Sequence, residues 1–518
     1  MQDSVLNRIA RSAGLNMVIQ VLNRLFSFLI NAILIRFVSI ELIGVVNVRL
    51  SLFATTVVFL SREPIRKACL DKGKEEWSKV NQLVWLAVPT GVVISIVTSL
   101  IWLYVLPDPQ VAFYKQSIFV FALSSIIALC SEVGYVLTQM TLHTNVKVFV
   151  ESTSLSIRSI TNCILLCLFP SLGLKGFCIG EFVYALCFPL LYAVQIERLL
   201  HNPETSSSLP IKSFAELLPS FTLPTDSSKV LLLFFRQSLL KQLLTEGERY
   251  ILSFSSISMH DQGVFDIVNN LGSLFARFLF QPLEEGFYLY FSREGNRTGT
   301  KNQTILHVCL LLLRCLSYFG CIVIGFGYPY ASVLLFLYGG HQLATSIAVT
   351  LLRVYCVYVL FLGLNGISEA FFMATAEPSR LERYNFDMIL FSIAFVLAAR
   401  ICTPFLGSVG YIVANIVNMG CRCIHHFGYL SQYAEKPVIR DIAVAPVWLV
   451  YEIGVCAILG YLETFFKPFS MRSVLFFVGI GACAGISVLL VMWLVDSASI
   501  QAARTIFSKE TKPAAKLE

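Results

Sequence analysis

Charge is what this chain has least of. Asp, Glu, Lys and Arg make up 14% of its 518 residues, where a soluble domain carries about a quarter. With 56% hydrophobic residues and 41 Phe, the expected solvent is lipid. Polar stretches are short too. None exceeds about 30 residues, too few to enclose a core, so no separate soluble domain is expected. A basic stripe with interleaved aromatics is missing and the net charge is only +7, which excludes nucleic acid as an expected partner. The loops are poor in cysteine. Cys163, Cys167, Cys178, Cys187, Cys309 and Cys315 all lie in apolar runs and read as small buried hydrophobes, not as a disulfide framework.

Catalytic machinery is equally scarce. No GxxxxGK[ST] phosphate loop occurs, and Gly295–Lys301 has the wrong spacing for one, so no ATPase domain is expected. No large lumenal domain or paired acidic loop motif offers a place for a sugar donor and a metal. Cys421-Arg422-Cys423-Ile424-His425-His426 matches no common zinc spacing, and no second cluster completes four ligands. The reading is a non-enzyme with no cofactor and no metal, whose transport, if any, is passive or ion-coupled. A cleavable leader is not expected either. Residues 1–11 are polar, with Arg8 and Arg11, and the apolar run after them is long enough to span and to serve as its own insertion signal.

What is present is a series of apolar runs of membrane length. A helix needs about 20 residues to cross the hydrocarbon core. Spans are expected at 12–37, 41–60, 80–105, 116–140, 147–169, 174–196, 228–255, 262–291, 306–328, 343–375, 384–406, 409–432, 443–463 and 473–496. The apolar, aromatic segment 329–342 is expected to be re-entrant or interfacial, and the tenth span to break or tilt. The fold class is therefore all-α and polytopic, with about 14 transmembrane helices. Placing both termini in the cytosol puts roughly 23 basic residues on that side against roughly 5 on the other. The sequons at Asn296 and Asn302 then face the cytosol and stay unmodified. The longest polar segment, 198–227, divides the chain into an N-lobe (1–197, six spans), a cytosolic linker, a C-lobe (228–432, six spans), and an extra helix pair with a cytosolic tail (433–518). No strong internal repeat is visible. Span count and linker position suggest two similar bundles facing a cavity.

Ionisable residues at mid-bilayer cost about 2.5–3.5 kcal/mol each on insertion scales, so they face protein or a wet cavity. Here they align. In the eighth span Asp266, Asn270, Ser273, Arg277, Gln281 and Glu284 recur at helical spacing, forming one stripe roughly 80° wide between apolar faces. Pro282, beside Glu284 and Glu285, is expected to break the hydrogen-bond ladder and act as a hinge. Gln237, Lys241, Thr245 and Glu248 form a second seam, flanked by Arg236, Glu246 and Arg249. Asn16, Gln20, Asn23, Ser27 and Asn31 form a third, with Arg24 beside it and Arg36 near its end. Single charges recur at Glu132, Arg158, Glu181, Arg314, Arg353, Glu369, Asp387, Arg400 and Arg422. Two readings stand for these groups. They glue helices together, or their arginines grip a phosphate or pyrophosphate head group bidentately. The basic turn Ser61-Arg62-Glu63-Pro64-Ile65-Arg66-Lys67 likewise reads as a head-group attractor or as ordinary positive-inside anchoring.

Several of these stretches carry a resemblance: Asn31–Phe37, Val45–Leu50, Arg62–Cys69, Lys241–Tyr250, Asp261–Ser273, Arg383–Phe386 and Gly407–Gly410. Over about residues 12–432 the chain resembles the Rft family of endoplasmic-reticulum proteins. The resemblance implies a fold like that of the multidrug and oligosaccharidyl-lipid exporters, with two six-helix lobes and two extra C-terminal helices. It implies a substrate too, a dolichyl-pyrophosphate heptasaccharide moved from the cytosolic to the lumenal leaflet for protein N-glycosylation, with membrane lipids and other proteins of that pathway as partners. On this view Arg24, Arg36, Arg62, Arg66, Lys241, Arg249, Arg277 and Arg422 are the substrate-binding candidates. Glu63, Glu248, Asp266, Glu284 and Glu285 gate or pair with them. The alternatives are a non-transporting lipid-binding or scaffold factor of the same pathway and, third, a small-molecule exporter.

Overall fold

The computed structural model describes residues 25–70, 77–141, 143–206, 209–219, 228–255, 257–294, 302–467, 469–497 and 501. Among them every regular element is helical, and nine helical stretches are long and apolar enough to cross a bilayer. The chain is an all-α, multi-pass membrane protein. It forms two compact units, Met1–Gly263 and Val264–Glu518.

Unit 1 opens with α1 (Leu25–Leu34). After a turn, Ser39 caps α2 (Ile40–Gly44), its hydroxyl accepting from the Leu42 N–H at 3.4 Å. A π-helical turn, Val45–Leu50, joins α2 to α3 (Ser51–Leu70) without a break. Then follow α4 (Trp77–Trp85), α5 (Ala87–Tyr104), α6 (Tyr114–Leu129), α7 (Glu132–Met140), α8 (Thr144–Leu168), α9 (Leu174–His201) and α10 (Ser228–Phe254). One core cluster, which includes Trp77, Leu83, Leu129 and Leu137, ties α3, α4, α6 and α7 to Ile211 and Leu217. Close backbone approach is built in at one point. A Cβ on Gly44 would lie 2.5 Å from the Met259 carbonyl oxygen, and one on Gly263 would strike the Ile40 carbonyl. Only glycine lets these two backbones touch.

In unit 2, α11 (Met259–Phe275, which crosses the boundary) runs through a second π-turn, Ala276–Phe280, into α12 (Gln281–Glu294). The helix runs on past Pro282, but its regular ladder is interrupted there, since proline has no N–H to donate. The Gln281 N–H bonds to the Ala276 carbonyl, five residues back, and this wider turn just upstream takes up the clash a proline ring makes with a normal α-turn. Another expectation is corrected. Segment 329–342 does not turn back as a re-entrant piece: it continues α13 (Gln303–Leu343), which stays helical up to a kink at Gly340. It stays helical past Pro329 because it is held from the side. Tyr330 stacks on Phe477 at 4.5 Å and donates to its carbonyl at 2.8 Å, and Ser332 donates to Glu463 at 2.5 Å. The kink falls at Gly340, whose φ of 68° suits glycine. Thr345 then caps α14 (Ser346–Thr375). The rest is α15 (Pro378–Leu406), α16 (Val409–Ala434), α17 (Pro446–Phe466) and α18 (Met471–Val495), which opens on a capping box at Ser470.

Candidate functional site

In unit 1 the basic turn of α3 meets a buried carboxylate at the start of α7. Arg66 forks onto Glu132, Nε to Oε2 at 2.6 Å and Nη2 to Oε1 at 2.8 Å. Its guanidinium lies 3.3 Å above the Tyr135 ring, and Arg62 stands 3.9 Å from the same carboxylate. Glu132 is buried at 2% exposure, so this is an ion pair held in low dielectric, with its lone pairs taken up by charge-assisted bonds. On the adjoining face of α3, Glu63 accepts from Lys241 of α10 at 2.9 Å; the lysine side chain is 55% exposed. Further along α10, Arg249 contacts Glu246 at 3.4 Å and Glu248 is half-buried. Tyr250 closes this region by sharing a hydrogen bond with Thr56 at 2.6 Å and accepting from Gln242 at 3.3 Å. Arg36 is exposed, in the turn after α1, and Arg24 lies outside the described residues.

In unit 2 the seam of the eighth span is hydrogen-bonded along its own helix. Asn270 Nδ2 donates to Asp266 at 3.1 Å, and Arg277 donates to Asn270 Oδ1 at 3.2 Å and to the Ser273 hydroxyl. Asp266 is buried. Arg277 sits inside the π-turn, where the extra residue in the ladder re-aims side chains; such turns are frequent at functional sites. One turn on, Glu284 and Glu285 line a cavity of about 450 Å³ together with Tyr288, Glu369, Ala370 and Met373. Glu285 accepts from Gln281 at 2.9 Å. Glu369 accepts from Asn365 at 2.9 Å and from Tyr384 at 3.0 Å, and Arg422 of α16 lies 4.0 Å away.

The structure thus brings the expected residues into separate sets: Arg62, Arg66, Glu63 and Lys241 in unit 1; Asp266 with Arg277, and Glu284 and Glu285 on a cavity shared with Glu369, which Arg422 approaches, in unit 2. Two partners that decide this grouping, Glu132 and Glu369, stood out in the sequence only as isolated carboxylates in apolar runs. Cys423 donates to the Phe361 carbonyl, His425 faces Asp387 at 3.6 Å and the buried His426 meets the Ser368 hydroxyl at 3.4 Å. Among the described residues no group of three or more His, Cys, Asp or Glu converges to hold a metal.

Other charges tie down the C-terminal helix pair. Glu463 of α17 takes Arg353 at 3.0 Å and Lys467 at 2.7 Å, and Asp496, just past α18, takes Arg314 at 2.7 Å and Tyr318 at 2.9 Å. Arg49, fully buried, donates to the Pro107 carbonyl at 3.2 Å while its own carbonyl accepts from Trp102. These contacts join chain segments within each unit.

Set beside known proteins, the chain is similar to the Man(5)GlcNAc(2)-PP-dolichol translocation proteins RFT1 of Mus musculus and Xenopus tropicalis, at 37% and 38% identity over 89% of each chain. The Drosophila melanogaster protein of the same name is 28% identical over 95% of this chain and 96% of its own. Among solved structures the fold is similar to that of the lipid II flippase MurJ in an inward closed conformation. The TM-score is 0.61, at 14% identity over 92% of this chain and 98% of that one. It is also similar to an inward-facing multidrug resistance MATE family transporter of the MOP superfamily, with a TM-score of 0.56, at 14% identity over 80% of this chain and 96% of that one. The family model of the Rft proteins matches residues 8–505, and the chain belongs to the Rft protein family.

Proposed function

We propose that the chain translocates a dolichyl-pyrophosphate-linked heptasaccharide, five mannoses on two N-acetylglucosamines, from the cytosolic to the lumenal leaflet of the endoplasmic reticulum for protein N-glycosylation. The observation that carries the reading is the 37–38% identity, over 89% of both chains, to proteins named for translocating Man(5)GlcNAc(2)-PP-dolichol. The physical problem is to draw a large polar head, with a doubly charged pyrophosphate, through a hydrocarbon core of about 30 Å while the tail stays in lipid. Arginines on inward seams answer it. Their forked donors match phosphate oxygens, and a guanidinium held by neutral amide and hydroxyl groups can trade them for phosphate without an unpaired charge being left in low dielectric. Arg277, on Asn270 and Ser273, is the first residue of this kind, with Arg24, Arg36, Arg249 and Arg422 as further contacts. Asp266, Glu284 and Glu285 pair with them or gate.

The same reading takes about 14 spans, as two six-helix lobes (1–197 and 228–432) joined by a cytosolic linker and followed by an extra helix pair, with both termini cytosolic. It includes α8, α10, α11–α12 and α16, which carry charged residues within their apolar runs, among them Arg158, Lys241, Arg277 and Arg422.

A second reading is favoured by one observation. Arg66, Arg158, Arg314 and Arg353 each already hold a carboxylate, which suits a protein that binds the lipid or organises its handling without moving it. The test uses purified protein in liposomes containing the dolichol-linked heptasaccharide, with a sugar-specific reagent outside. Fast access to the inner-leaflet pool, abolished by Arg277→Glu, supports translocation. No acceleration by folded protein that still binds the lipid overturns it in favour of the second reading.

A further inference from the structure

We infer that an apolar groove in unit 1 seats part of the polyprenyl chain of the lipid; this rests on the substrate class proposed above and adds where its tail lies. The groove, about 670 Å³, runs between α3, the first turns of α5, and α10. Leu60 and Ile65, Val93 and Ile94, and Leu232 and Phe235 form its three walls. That volume is within the range of small-molecule sites, roughly 300–1,000 Å³, so it takes a segment of a long chain.

The walls are dry by construction. Two hydroxyls reach the groove, and both are spent on their own helices. Ser61 donates to the Val57 carbonyl at 2.6 Å, and Thr90 donates to the carbonyls of Leu86 and Ala87 at 2.8 and 3.1 Å. The oxygens of a phosphate head group would therefore find no free side-chain donor there, whereas a branched hydrocarbon needs none. Ser61, at 1% exposure, and Ile65, at 4%, form the floor, while Val93 and Leu232, at 61% and 53%, stand open to the surrounding lipid.

What distinguishes this groove from any apolar membrane face is the charge beside it. The α3 turn that lines it also carries Glu63, which holds Lys241 at 2.9 Å. Lys241 is six residues beyond Phe235 on α10, about 9 Å along the helix axis. Its side chain is half exposed and its ammonium lies 5.5 Å from the Phe59 ring. A phosphate at one end of a chain seated in the groove comes within reach of a cation whose present partner is a single exchangeable carboxylate. The amphiphile that complements both features is an anionic phosphate on a long branched hydrocarbon.

The experiment uses the full chain in phosphatidylcholine nanodiscs doped with polyprenyl pyrophosphate. A benzophenone amino acid replaces Val93 or, as a lipid-facing control on α9, Leu190, itself 62% exposed. Position 93 is expected to cross-link the polyprenyl chain at least about fivefold more than position 190, and Lys241→Glu to reduce that excess; at most tenfold is lost. Equal yields at both positions, or cross-links to phosphatidylcholine alone, overturn the groove. As a second measurement, Val93→Trp fills the opening from a lipid-exposed position that folding does not depend on. It is expected to weaken binding of the long-chain pyrophosphate but not of a farnesyl analogue, and equal weakening of both overturns the inference. Protein that cross-links the chain at position 93 yet moves no glycolipid refutes translocation and leaves the groove standing. Protein that moves the glycolipid with no cross-link there refutes the groove alone.

Discussion

The ion pair between Arg66 and Glu132 is the contact whose removal has the most calculable result. Arg66 is bidentate at 2.6 and 2.8 Å, its side chain is 14% exposed, and the carboxylate it holds is 3% exposed. Removing one partner of such a buried pair leaves the other charge without compensation and costs about 3–5 kcal/mol. Removing both and replacing them with apolar groups costs much less, since neither charge is left behind. Glu132→Leu and Arg66→Met are therefore each expected to lower the melting temperature in detergent by roughly 10 °C, at about 2–4 °C per kcal/mol for a unit of this size. The double variant should be no worse than either single one. With each single loss at about 3–5 kcal/mol and the double no worse, the cycle is expected to return a coupling of about 3 kcal/mol or more; the stack of Arg66 on Tyr135 is lost in both Arg66 variants and cancels from it. Melting by intrinsic fluorescence, checked for monodispersity, measures it. A coupling below about 0.5 kcal/mol, with the two single losses simply adding, refutes the assignment of this pair as the fastening between α3 and α7. Arg62, 30% exposed and 3.9 Å from the same carboxylate, is expected to matter little, and Arg62→Ala should cost under about 1 kcal/mol.

Further outcomes follow from other contacts. Gly263→Val should prevent monodisperse folding, because its side chain would strike the Ile40 carbonyl, a backbone atom that cannot swing away; Gly286→Ala, with nothing within 4 Å of the added Cβ, is the tolerated control in size-exclusion chromatography. Glu463→Gln leaves Arg353 and Lys467 without their shared carboxylate and should raise hydrogen exchange in α17 and α18 while leaving α14 little changed. Arg277→Lys keeps the charge but loses the planar fork; it is expected to retain folding and to lose most of the glycolipid movement, as read in the liposome assay.

Some of the site was legible because its contacts are local. Asp266, Asn270, Ser273 and Arg277 bond to one another along a single helix, and a 3.6-residue period makes such neighbours visible in one dimension. The apolar runs were legible for the same reason. The partners of the remaining charges were not. Lys241 and Glu63 are 178 residues apart, Arg353 and Glu463 110, and Arg66 and Glu132 66, and no local pattern says which helices will pack. Nor could Pro282 reveal that the turn before it would widen to accommodate it, or Tyr330 that Phe477 would carry the helix on past Pro329.

The division has one physical cause. Solvent class, helix class and the order of residues along a face depend on composition and on a period a few residues long, and those the amino-acid sequence determined by itself. Which arginine meets which carboxylate, where a groove opens beside a lysine, and where a backbone approaches closely enough to demand glycine all depend on surfaces distant in the chain coming together, and only the tertiary structure decided them.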